Sequence, residues 1–474
     1  MISDLKPYPA MKDSGAPWLG EVPEHWEVSR LKVHVANIVD QTSKCRTDEI
    51  YIALENVESW TGRIRDAEPN VSFDSQVKRF LANDVLFGKL RPYLAKVTRP
   101  NRNGVCVGEF LVLRPRDGCL SSDYFEHFLR SKPIIDVIDA STFGAKMPRA
   151  DWQFIGGMLQ ILPPLPEQAA IVRFLDHIDG RIRRYIHAKQ KLIKLLEEQK
   201  QVIIHLAVTR GLDPNVRLKP SGVEWLGDIP VHWNVVPLRK LVEVKDGTHD
   251  TPSYVEPSDT SFPLVMSKDF GPSSICFDNV NHISAKDHFE IVERSNTKRG
   301  DVLMSMIGGN IGKALIVDTN REFSIKNVAL FKTCNSSHLA RFILYYLRSG
   351  LLDIQIAMLS KGGAQGFLAL GQIRNLSFLK IPANEMELIV ETLDQKLAVH
   401  DALIAAASNS LKMVVEYRTR LISDVVTGKL DVRCVTLPAA EDVQIQDEWN
   451  GTFDAESDLI LDQELPELAQ EAGD

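Results

Sequence analysis

Two long segments with apolar residues at heptad spacing constrain this fold more than any other feature. They cover residues 166–210 and 386–427, and in each the apolar side chains recur alternately every four and three residues. This spacing is typical of a helix that packs along a partner helix. At about 1.5 Å per residue the first helix is roughly 65 Å long and needs a partner over most of that length. We therefore expect the two segments to pair as long antiparallel coiled-coil helices.

The predicted seam between these helices is mostly aliphatic, but five of its positions, including Gln199, are polar or aromatic. We expect Tyr185 and His400 to pack in the interior of the helix pair rather than to bind ligands. Lys189 and Arg418 either fix the register of the pair or reach solvent on their long stems. The aliphatic seam positions are Ile171, Leu175, Ile178, Ile182, Leu192, Leu196, Ile203, Leu393, Leu397, Ile404, Leu411, Val414 and Leu421.

The sequence contains an internal duplication. The segment SGAPWLGEVPEHWEVSRL at 14–31 recurs as SGVEWLGDIPVHWNVVPL at 221–238, and the helical segments end in AVTRGLD and VVTGKLD. A repeat of this length indicates two tandem copies of one unit. Both copies keep two tryptophans and a histidine at identical spacing, so we expect these side chains to pack in each core rather than to stack on bases. They are Trp18, His25, Trp26, Trp225, His232 and Trp233.

Each copy is predicted to be a mixed α/β domain followed by one long helix. Short β-branched or apolar runs at 105–113, 301–307 and 314–318 favour strands. Amphipathic patterns at 122–131 and 338–349 favour helices. The predicted boundaries place domains at 1–165 and 221–382, long helices at 166–212 and 383–431, a linker at 213–220 and a tail at 432–474.

The charge is unevenly distributed along the chain. The net charge is -8, but residues 435–474 contain twelve Asp or Glu residues and no Lys or Arg. Without these twelve carboxylates the net charge of residues 1–434 is +4, which is compatible with a nucleic-acid partner. We predict that the acidic tail is disordered on its own. A further hypothesis is that the tail mimics DNA and blocks a recognition groove until assembly.

The cysteine pattern and the amino terminus favour a cytoplasmic protein. The six cysteines form no Cys-X-X-Cys pair or Cys/His cluster, so neither a zinc site nor a disulfide framework is predicted. Residues 1–15 lack the apolar core of a signal peptide, and no segment approaches the pattern of a membrane span. We expect a soluble chain in a reducing compartment, without a bound metal.

No sequence pattern predicts a catalytic site. The methyltransferase pattern N/D-PP-Y/F, the GxGxxG loop and the Walker A loop are absent. The acid-X-Lys spacing of metal-dependent nucleases occurs at Glu243–Lys245, with Asp228 upstream, and at Glu198–Lys200. We interpret both as accidental, because the first follows the repeated opening and the second lies on a coiled-coil helix. We predict no catalytic residues.

Candidate DNA contacts are cations that bind phosphates and polar groups that bind base edges. Several lie beside glycines, which let backbone approach a phosphate closely. The alternative is that these segments are ordinary solvated turns. The candidates are Lys89, Arg91, Tyr93, Lys96, Lys146 and Arg149 in the first domain, and Thr248, His249, Lys268, Asn310, Lys313, Lys361 and Gln365 in the second.

Taken together, these motifs resemble the specificity (S) subunits of type I restriction-modification systems. The resemblance rests on the repeated WLG...P.HW openings, the two helix ends, LPPLPEQAAIVRFLD at 162–176, DGTHDTP at 246–252 and GDVLMSMIGGNIGKA at 300–314. It covers residues 14–431. Its specificity comes from the order and duplication of the motifs, since no single motif would suffice.

The resemblance implies two target recognition domains, each reading one half of a bipartite double-stranded DNA sequence. Two antiparallel helices space these domains in a pseudo-twofold arrangement. They also recruit two modification subunits, which methylate adenine, and restriction subunits with translocase and nuclease activity join the complex. In this family the S subunit has no catalytic residues, so AdoMet, ATP and Mg²⁺ are expected on the partner subunits.

The chain departs from the family pattern at the start of the second helix. IPANEME at 381–387 stands where the first helix has PPLPEQ, so we expect this helix end to dock its partner differently. The resemblance also leaves the acidic tail unexplained. One alternative function is a non-catalytic coiled-coil scaffold whose domains bind ligands other than DNA. Another is a cryptic Mg²⁺-dependent nuclease.

Overall fold

The computed structural model describes residues 5–65, 76–116, 118–144, 147–333, 336–359 and 366–437. The acidic tail from residue 438 onward and the candidates Lys146, Lys361 and Gln365 lie outside these ranges. The chain divides into two compact units. Unit 1 comprises Met1–Lys191 and Ala407–Asp474, and unit 2 comprises Leu192–Ala406.

Unit 1 is a mixed α/β domain that leads into a long helix. Its strands are β1 (Met11–Asp13), β2 (Glu21–Pro23), β3 (Glu27–Arg30), β4 (Val35–Ile38), β5 (Gln41–Thr42), β6 (Ile50–Ile52), β7 (Val77–Phe80), β8 (Val85–Gly88), β9 (Val97–Thr98), β10 (Gly104–Val107), β11 (Phe110–Pro115) and β12 (Leu159–Leu162). Its helices are α1 (Leu31–His34), α2 (Ser122–Arg130), α3 (Lys132–Ala140), α4 (Trp152–Gly157) and the first part of α5 (Leu165–Arg210).

Unit 2 repeats this plan. Its strands are β13 (Leu218–Pro220), β14 (Asp228–Pro230), β15 (Asn234–Pro237), β16 (Glu243–Asp246), β17 (Tyr254–Val255), β18 (Ser261–Val265), β19 (His282–Ser284), β20 (Val302–Ser305), β21 (Ala314–Ile316), β22 (Ser324–Ile325), β23 (Val328–Lys332) and β24 (Ser377–Lys380). Its helices are α6 (Ala285–Ser295), α7 (Ser337–Arg348), α8 (Leu351–Leu359), α9 (Leu370–Arg374) and the first part of α10 (Ala383–Val426).

Each unit therefore contains the first part of its own long helix and the last part of the other. Residues of α5 from Leu192 onward belong to unit 2, and residues of α10 from Ala407 onward belong to unit 1. The strands and helices predicted from the short apolar runs are confirmed. These runs contain β10, β11, β20 and β21, and the amphipathic segments form α2 and α7.

One four-stranded antiparallel sheet is the same in both units. Its strand order is β4-β11-β8-β9 in unit 1 and β16-β23-β20-β21 in unit 2. The register matches as well, because Phe110 pairs with Gly88 in unit 1 and Val328 pairs with Ser305 in unit 2. All residues of β8 and β20 are buried, as expected for strands covered on both faces.

A second four-stranded sheet differs between the units. Its order is β5-β7-β10-β6 in unit 1 and β17-β19-β18-β22 in unit 2. Each contains one parallel pair, β10 with β6 and β18 with β22. In unit 1 the antiparallel neighbour β7 pairs with β10, the strand of the parallel pair that comes later in the chain. In unit 2 the antiparallel neighbour β19 pairs with β18, the strand of the parallel pair that comes earlier. The duplication has therefore kept one sheet and rearranged the other.

The tryptophan at the end of each repeated opening lies in the core. Trp26 and Trp233 are both 0% exposed, which confirms the predicted packing role. Trp225 packs against the same apolar cluster as Trp233. The histidines beside these tryptophans differ from the expectation, because the side chains of His25 and His232 are 42% and 45% exposed. Each histidine thus lies at the rim of the core and can make polar contacts there.

The chain after α5 is more ordered than the sequence predicts. A linker is predicted at 213–220, but Leu218–Pro220 forms β13 and pairs antiparallel with β14. The helix itself ends where we expect. Gly211 follows its last residue with φ +75°, a left-handed conformation that suits glycine at a helix C-terminus.

Within unit 1 the two long helices run antiparallel. Asp179 pairs with Arg418 and Tyr185 with Ser410, so residue numbers rise along one helix as they fall along the other. The Asp179–Arg418 side chains are 22% and 11% exposed and approach to 2.5 Å, so Arg418 fixes the register instead of reaching solvent. Burial alone raises the pKa of Asp179, but Arg418 and Arg183 outweigh burial and lower it.

The predicted aliphatic seam positions are buried or half-buried along both long helices, with Leu192 of α5 as the exception. Every predicted aliphatic position of α10 is buried or half-buried. In α5, Ile171 and Ile182 are buried, but Leu192 is 41% exposed. Beyond it, the predicted positions Leu196 and Ile203 are buried and half-buried, and Ile204 is buried as well. The heptad pattern thus predicts the covered face of α5, but not whether each position along that face is covered.

Tyr185 and His400 lie at the helix contact but not in its interior, so that prediction is wrong. Tyr185 is 39% exposed, and its hydroxyl lies 2.6 Å from the Ser410 hydroxyl. His400 is half-buried, and its Nε2 lies 3.1 Å from Oε1 of Gln199. Lys189 places its ammonium 5.5 Å from the Tyr185 ring centroid, which is a cation–π contact. These side chains form polar contacts along the edge of the helix pair.

In the described part of the chain, no individual helix combines the length and apolarity needed to cross a membrane. Only α7 and α8 taken together, with a bend of 61° between them, pass a test of length and composition.

Candidate functional site

A glutamate in the first turn of each long helix ties that helix to the repeated opening. Glu167 accepts a hydrogen bond from Trp26 Nε1 at 2.5 Å, and its Oε1 lies 2.8 Å from Nε2 of His25. Arg433 approaches the same carboxylate to 3.1 Å. Glu167 is 9% exposed, so this buried carboxylate needs these partners. The position also suits the positive end of the helix dipole.

The second helix repeats this arrangement, although its sequence start looks degenerate. Glu385 accepts a hydrogen bond from Trp233 Nε1 at 2.9 Å and lies 2.8 Å from Nε2 of His232. The carboxylate of the PPLPEQ motif is therefore kept in IPANEME. What is lost is the adjacent amide. Gln168 is fully buried and donates to the carbonyls of Cys119 and Pro163, whereas Met386 stands after Glu385 and has no such donor.

Candidate DNA contacts from two distant segments of unit 1 meet at one set of loops. The backbone N–H of Lys89 donates to the carbonyl of Glu109 at 2.9 Å. The N–H of Ala150 donates back to the Lys89 carbonyl at 2.8 Å, and the N–H of Arg91 donates to the Pro148 carbonyl at 2.9 Å. We call these three hydrogen bonds the shared loop frame.

Unit 2 contains the same shared loop frame. The N–H of Met306 donates to the carbonyl of Asn327 at 3.2 Å. The N–H of Leu368 donates to the Met306 carbonyl at 2.9 Å, and the N–H of Gly308 donates to the Gly366 carbonyl at 3.0 Å. In both frames the third donor has a left-handed backbone, which is ordinary for glycine but uncommon for the arginine of unit 1.

The two frames carry different side chains at matching positions. An isolated bridge joins Leu90 to Arg149 in unit 1 and Ile307 to Phe367 in unit 2, which extends the match to a fourth position. A scaffold that keeps its backbone while every one of these side chains changes type is suited to binding two different ligands. The matched sets are Lys89, Arg91, Glu109 and Arg149 in unit 1, and Met306, Gly308, Asn327 and Phe367 in unit 2.

The unit 1 frame is charged and partly exposed. Arg149 donates from Nε and Nη2 to the two carboxylate oxygens of Glu109, both at 3.2 Å, and this interaction raises the pKa of Arg149. Lys89 places its ammonium 4.0 Å from the same carboxylate. Arg91 is exposed, and the described residues provide no hydrogen bond to its guanidinium. Tyr93 is half-buried beside it.

The unit 2 frame is organised around a histidine. His249 donates from Nε2 to Asp246 at 3.0 Å, and its Nδ1 lies 3.0 Å from Oδ1 of Asn327. Asp246 is buried and also accepts a hydrogen bond from Arg294 at 3.2 Å. The Phe367 ring lies edge-on to the imidazole at 6.3 Å. The buried carboxylate therefore orients an imidazole whose side chain is 43% exposed.

The remaining candidate residues differ in how accessible their side chains are to a ligand. Lys96 and Lys313 donate to the carbonyls of Leu54 and Phe270 at 2.8 and 2.6 Å, which ties each lysine to its own domain. Thr248 is 9% exposed, so little of it is available to a ligand. Lys268 and Asn310 are exposed on short 3-10 turns.

Sequence reasoning overlooked several residues of these frames. Glu109 contacts Arg149, and Asp246, Asn327 and Phe367 contact His249, whereas Arg294 reaches this site through Asp246. Of these five residues only Asp246 stands in a quoted motif, as the first residue of DGTHDTP. A usable signal exists for two of them. Glu109 and Asn327 each stand immediately before strands that occupy the same place in the shared sheet, β11 and β23, so aligning the copies on that sheet points to both.

One group among the described side chains could share a metal ion. His338 on α7 and the exposed Glu387 and Glu391 on α10 place their ligand atoms within 4.8 Å of one another. The acid-X-Lys pair of the nuclease hypothesis is not part of this group. Glu243 is 63% exposed and pairs with Lys245 at 3.3 Å on β16. This arrangement is that of an ordinary surface ion pair.

Comparisons with known proteins agree with the duplicated architecture. No family model matches the sequence. The type I restriction enzyme MjaVIII specificity subunit of Methanocaldococcus jannaschii is 22% identical over 428 residues, covering 87% of this chain and 94% of that protein. The putative type I restriction enzyme MjaX specificity subunit of the same organism is 24% identical over 442 residues, covering 88% and 96%.

A solved structure has the same fold. It comes from work on complex assembly and conformational transition of the type I R-M system. It superimposes with a TM-score of 0.67 at 20% identity and covers 86% of this chain and 99% of that chain. The fold of two mixed α/β domains with two long helices is therefore shared with a chain of known structure.

Proposed function

We propose that this chain, a relative of the type I restriction enzyme specificity subunits, is a non-catalytic subunit that reads a bipartite double-stranded DNA sequence. Each domain binds one half of the target through the loops of its shared loop frame. The two long helices connect the domains and bind the modification subunits, and through them the restriction subunits. The chain acts by placing these partners on DNA.

The shared loop frame is the observation that carries this proposal. Both units keep the same backbone hydrogen bonds at these loops, while Lys89, Arg91, Glu109 and Arg149 are replaced by the chemically different Met306, Gly308, Asn327 and Phe367. A duplicated protein that bound the same ligand twice would gain nothing from such changes. Two ligand sites of different specificity on one chain are what a bipartite, asymmetric DNA sequence requires.

The chemistry at the frames suits base and phosphate recognition. Unit 1 offers the guanidinium groups of Arg91 and Arg149, and unit 2 offers the amides of Asn310 and Asn327 and the imidazole of His249. Guanidinium and amide groups can each form two hydrogen bonds with a base edge in the major groove. Sequence is read by such contacts, whereas phosphate contacts set position.

The helices offer an apolar face for protein partners. Four side chains in the part of α5 that belongs to unit 2 are between 41% and 55% exposed. Their spacing of three, seven and four residues places them on one side of the helix. We infer that this face binds a partner subunit, and that the partners carry AdoMet, ATP and Mg²⁺. The four residues are Leu192, Leu195, Val202 and Leu206.

Selection from a pool of random DNA duplexes tests the proposal. The full chain is assembled with its cognate modification subunit, and bound duplexes are recovered and sequenced over several rounds. We expect enrichment of two short conserved blocks separated by a spacer of fixed length and free sequence. Omitting this chain should abolish the enrichment. A fully assembled complex that enriches no sequence would overturn the proposal and favour a protein scaffold.

A further inference from the structure

We propose that Arg149 reads a guanine in the half-site bound by unit 1, and that Glu109 positions it for this contact. This inference rests on the proposed function and names one base contact within it. It assigns a role to Glu109, which carries no DNA-binding chemistry of its own in this arrangement.

The hydrogen bonds to Glu109 leave the outer edge of the Arg149 guanidinium available to a base. Arg149 uses Nε and Nη2 to grip the two carboxylate oxygens of Glu109. A guanidinium has five N–H donors in a planar fork, so Nη1 and the second hydrogen of Nη2 still point away from the carboxylate. That outer edge presents two parallel donors, and the Arg149 side chain is 48% exposed. The O6 and N7 atoms of guanine are two adjacent acceptors that match such an edge.

Charge distinguishes this arginine from a phosphate contact. The carboxylate of Glu109 offsets much of the positive charge of Arg149, which weakens its non-directional attraction to phosphate. The directional donors of the outer edge remain. Arg91, in contrast, is exposed, and its guanidinium has no partner among the described residues, which is the arrangement expected of a phosphate contact.

The matching position of unit 2 explains why only one half-site should contain this guanine. Phe367 occupies the place of Arg149, and Asn327 occupies the place of Glu109. A phenyl ring has no hydrogen-bond donor for a base edge. Unit 2 must therefore use other groups, and a change at Arg149 should leave its half-site untouched.

Equilibrium binding of the full chain with its modification subunit tests the assignment. The probes are the selected duplex and single-base-pair variants of it at every position of both half-sites, measured at several salt concentrations. For the wild type, replacing one G·C pair of the first half-site should weaken binding by on the order of 5- to 150-fold. For Arg149→Ala the same replacement should have almost no effect, while the second half-site is still read normally.

Two further variants separate base reading from phosphate binding and from positioning. Arg91→Gly introduces the residue that unit 2 has at this position, so the left-handed backbone is kept. It should weaken binding to all duplexes equally and reduce the slope of log affinity against log salt by about one. Glu109→Gln should reduce discrimination at the same G·C pair as Arg149→Ala, since a neutral amide holds the guanidinium less firmly, without reducing the salt slope.

Each outcome decides one point. If Arg149→Ala weakens all duplexes equally and reduces the salt slope, Arg149 is a phosphate contact and the inference is wrong. If the wild type reads a split sequence and Arg149→Ala leaves discrimination at every position unchanged, the inference fails while the proposed function stands. If the wild type reads no split sequence, the proposed function itself fails. The variant Lys132→Ala, on the exposed face of α3, controls for loss of a surface cation.

Discussion

Replacing the glutamate at the start of each long helix should destabilise the two units unequally. Glu167 is 9% exposed and binds Trp26, His25 and Arg433. Glu385 occupies the same position in the second helix but is 26% exposed. The substitutions Glu167→Ala and Glu385→Ala therefore remove the same group from two environments that differ in burial and in the ion pair with Arg433, which only Glu167 makes among the described residues.

The expected loss of stability follows from the groups that lose their hydrogen-bond partner when the glutamate is removed. In Glu167→Ala the indole N–H of the fully buried Trp26 loses its acceptor, which costs about 1–3 kcal/mol. The helix also loses a negative charge in its first turn, which costs about 0.3–1 kcal/mol. We therefore expect the free energy of unfolding of unit 1 to fall by about 2–4 kcal/mol. For Glu385→Ala we expect about 1–2 kcal/mol in unit 2, because water can reach the vacated site more easily.

Hydrogen–deuterium exchange read by mass spectrometry can follow both units in one sample. Because 1.4 kcal/mol corresponds to a tenfold change, protection of the first turns of α5 should fall by roughly 30-fold or more in Glu167→Ala. Protection of the first turns of α10 should fall by roughly 5- to 30-fold in Glu385→Ala. Glu167→Gln keeps an acceptor for Trp26 and should lie between wild type and Glu167→Ala. Equal losses in the two alanine variants, or no loss in Glu167→Ala, would refute the argument from burial.

Two further predictions concern helix register and helix ending. Because the pKa of Asp179 is lowered in the folded chain, its pairing should stabilise unit 1 fully above about pH 5 and lose this effect as pH falls below about 4. Arg418→Met should reduce that dependence, since Arg183 at 3.3 Å still pairs with Asp179, and should cost about 3 kcal/mol at pH 7 in urea titrations; an unchanged pH profile would contradict this. Gly428→Ala should cost more than about 2 kcal/mol in thermal unfolding, since φ is +77° and the new Cβ would lie 2.4 Å from Pro23. The matched Gly222→Ala, at φ +79° with nothing within 4 Å, should cost only about 1 kcal/mol, and equal costs would count against the steric argument.

Features that repeat in the sequence were the ones that could be predicted. The two long helices follow from a period that persists over many turns, and the core positions of Trp26 and Trp233 follow from their retention in both copies. The sequence leaves two roles open for Arg418, because a cation at a seam position can either pair with a carboxylate on the facing helix or extend into solvent. Only the position of Asp179 on the facing helix decided between them.

Features that depend on contacts between distant segments could not be predicted. Leu192 stands at a heptad position but is exposed, because the heptad pattern selects a helix face and not whether other segments cover each position along it. The role of Glu385 was hidden because the residues around it differ from the first helix start, although the carboxylate itself is kept. The shared loop frame joins backbone groups far apart in sequence, so neither Glu109 nor Asn327 was identified as part of a site.

Mapping of adenine methylation at single-base resolution tests the central claim most directly. DNA is taken from cells that carry this chain with its cognate modification subunit and from cells that lack only this chain. The account predicts a split motif, two short half-sites separated by a fixed spacer, that is methylated only when the chain is present, and whose first half-site loses one guanine requirement in Arg149→Ala. Identical methylation in both cell populations, with the complex assembled and AdoMet present, would contradict the claim that this chain selects the DNA sequence.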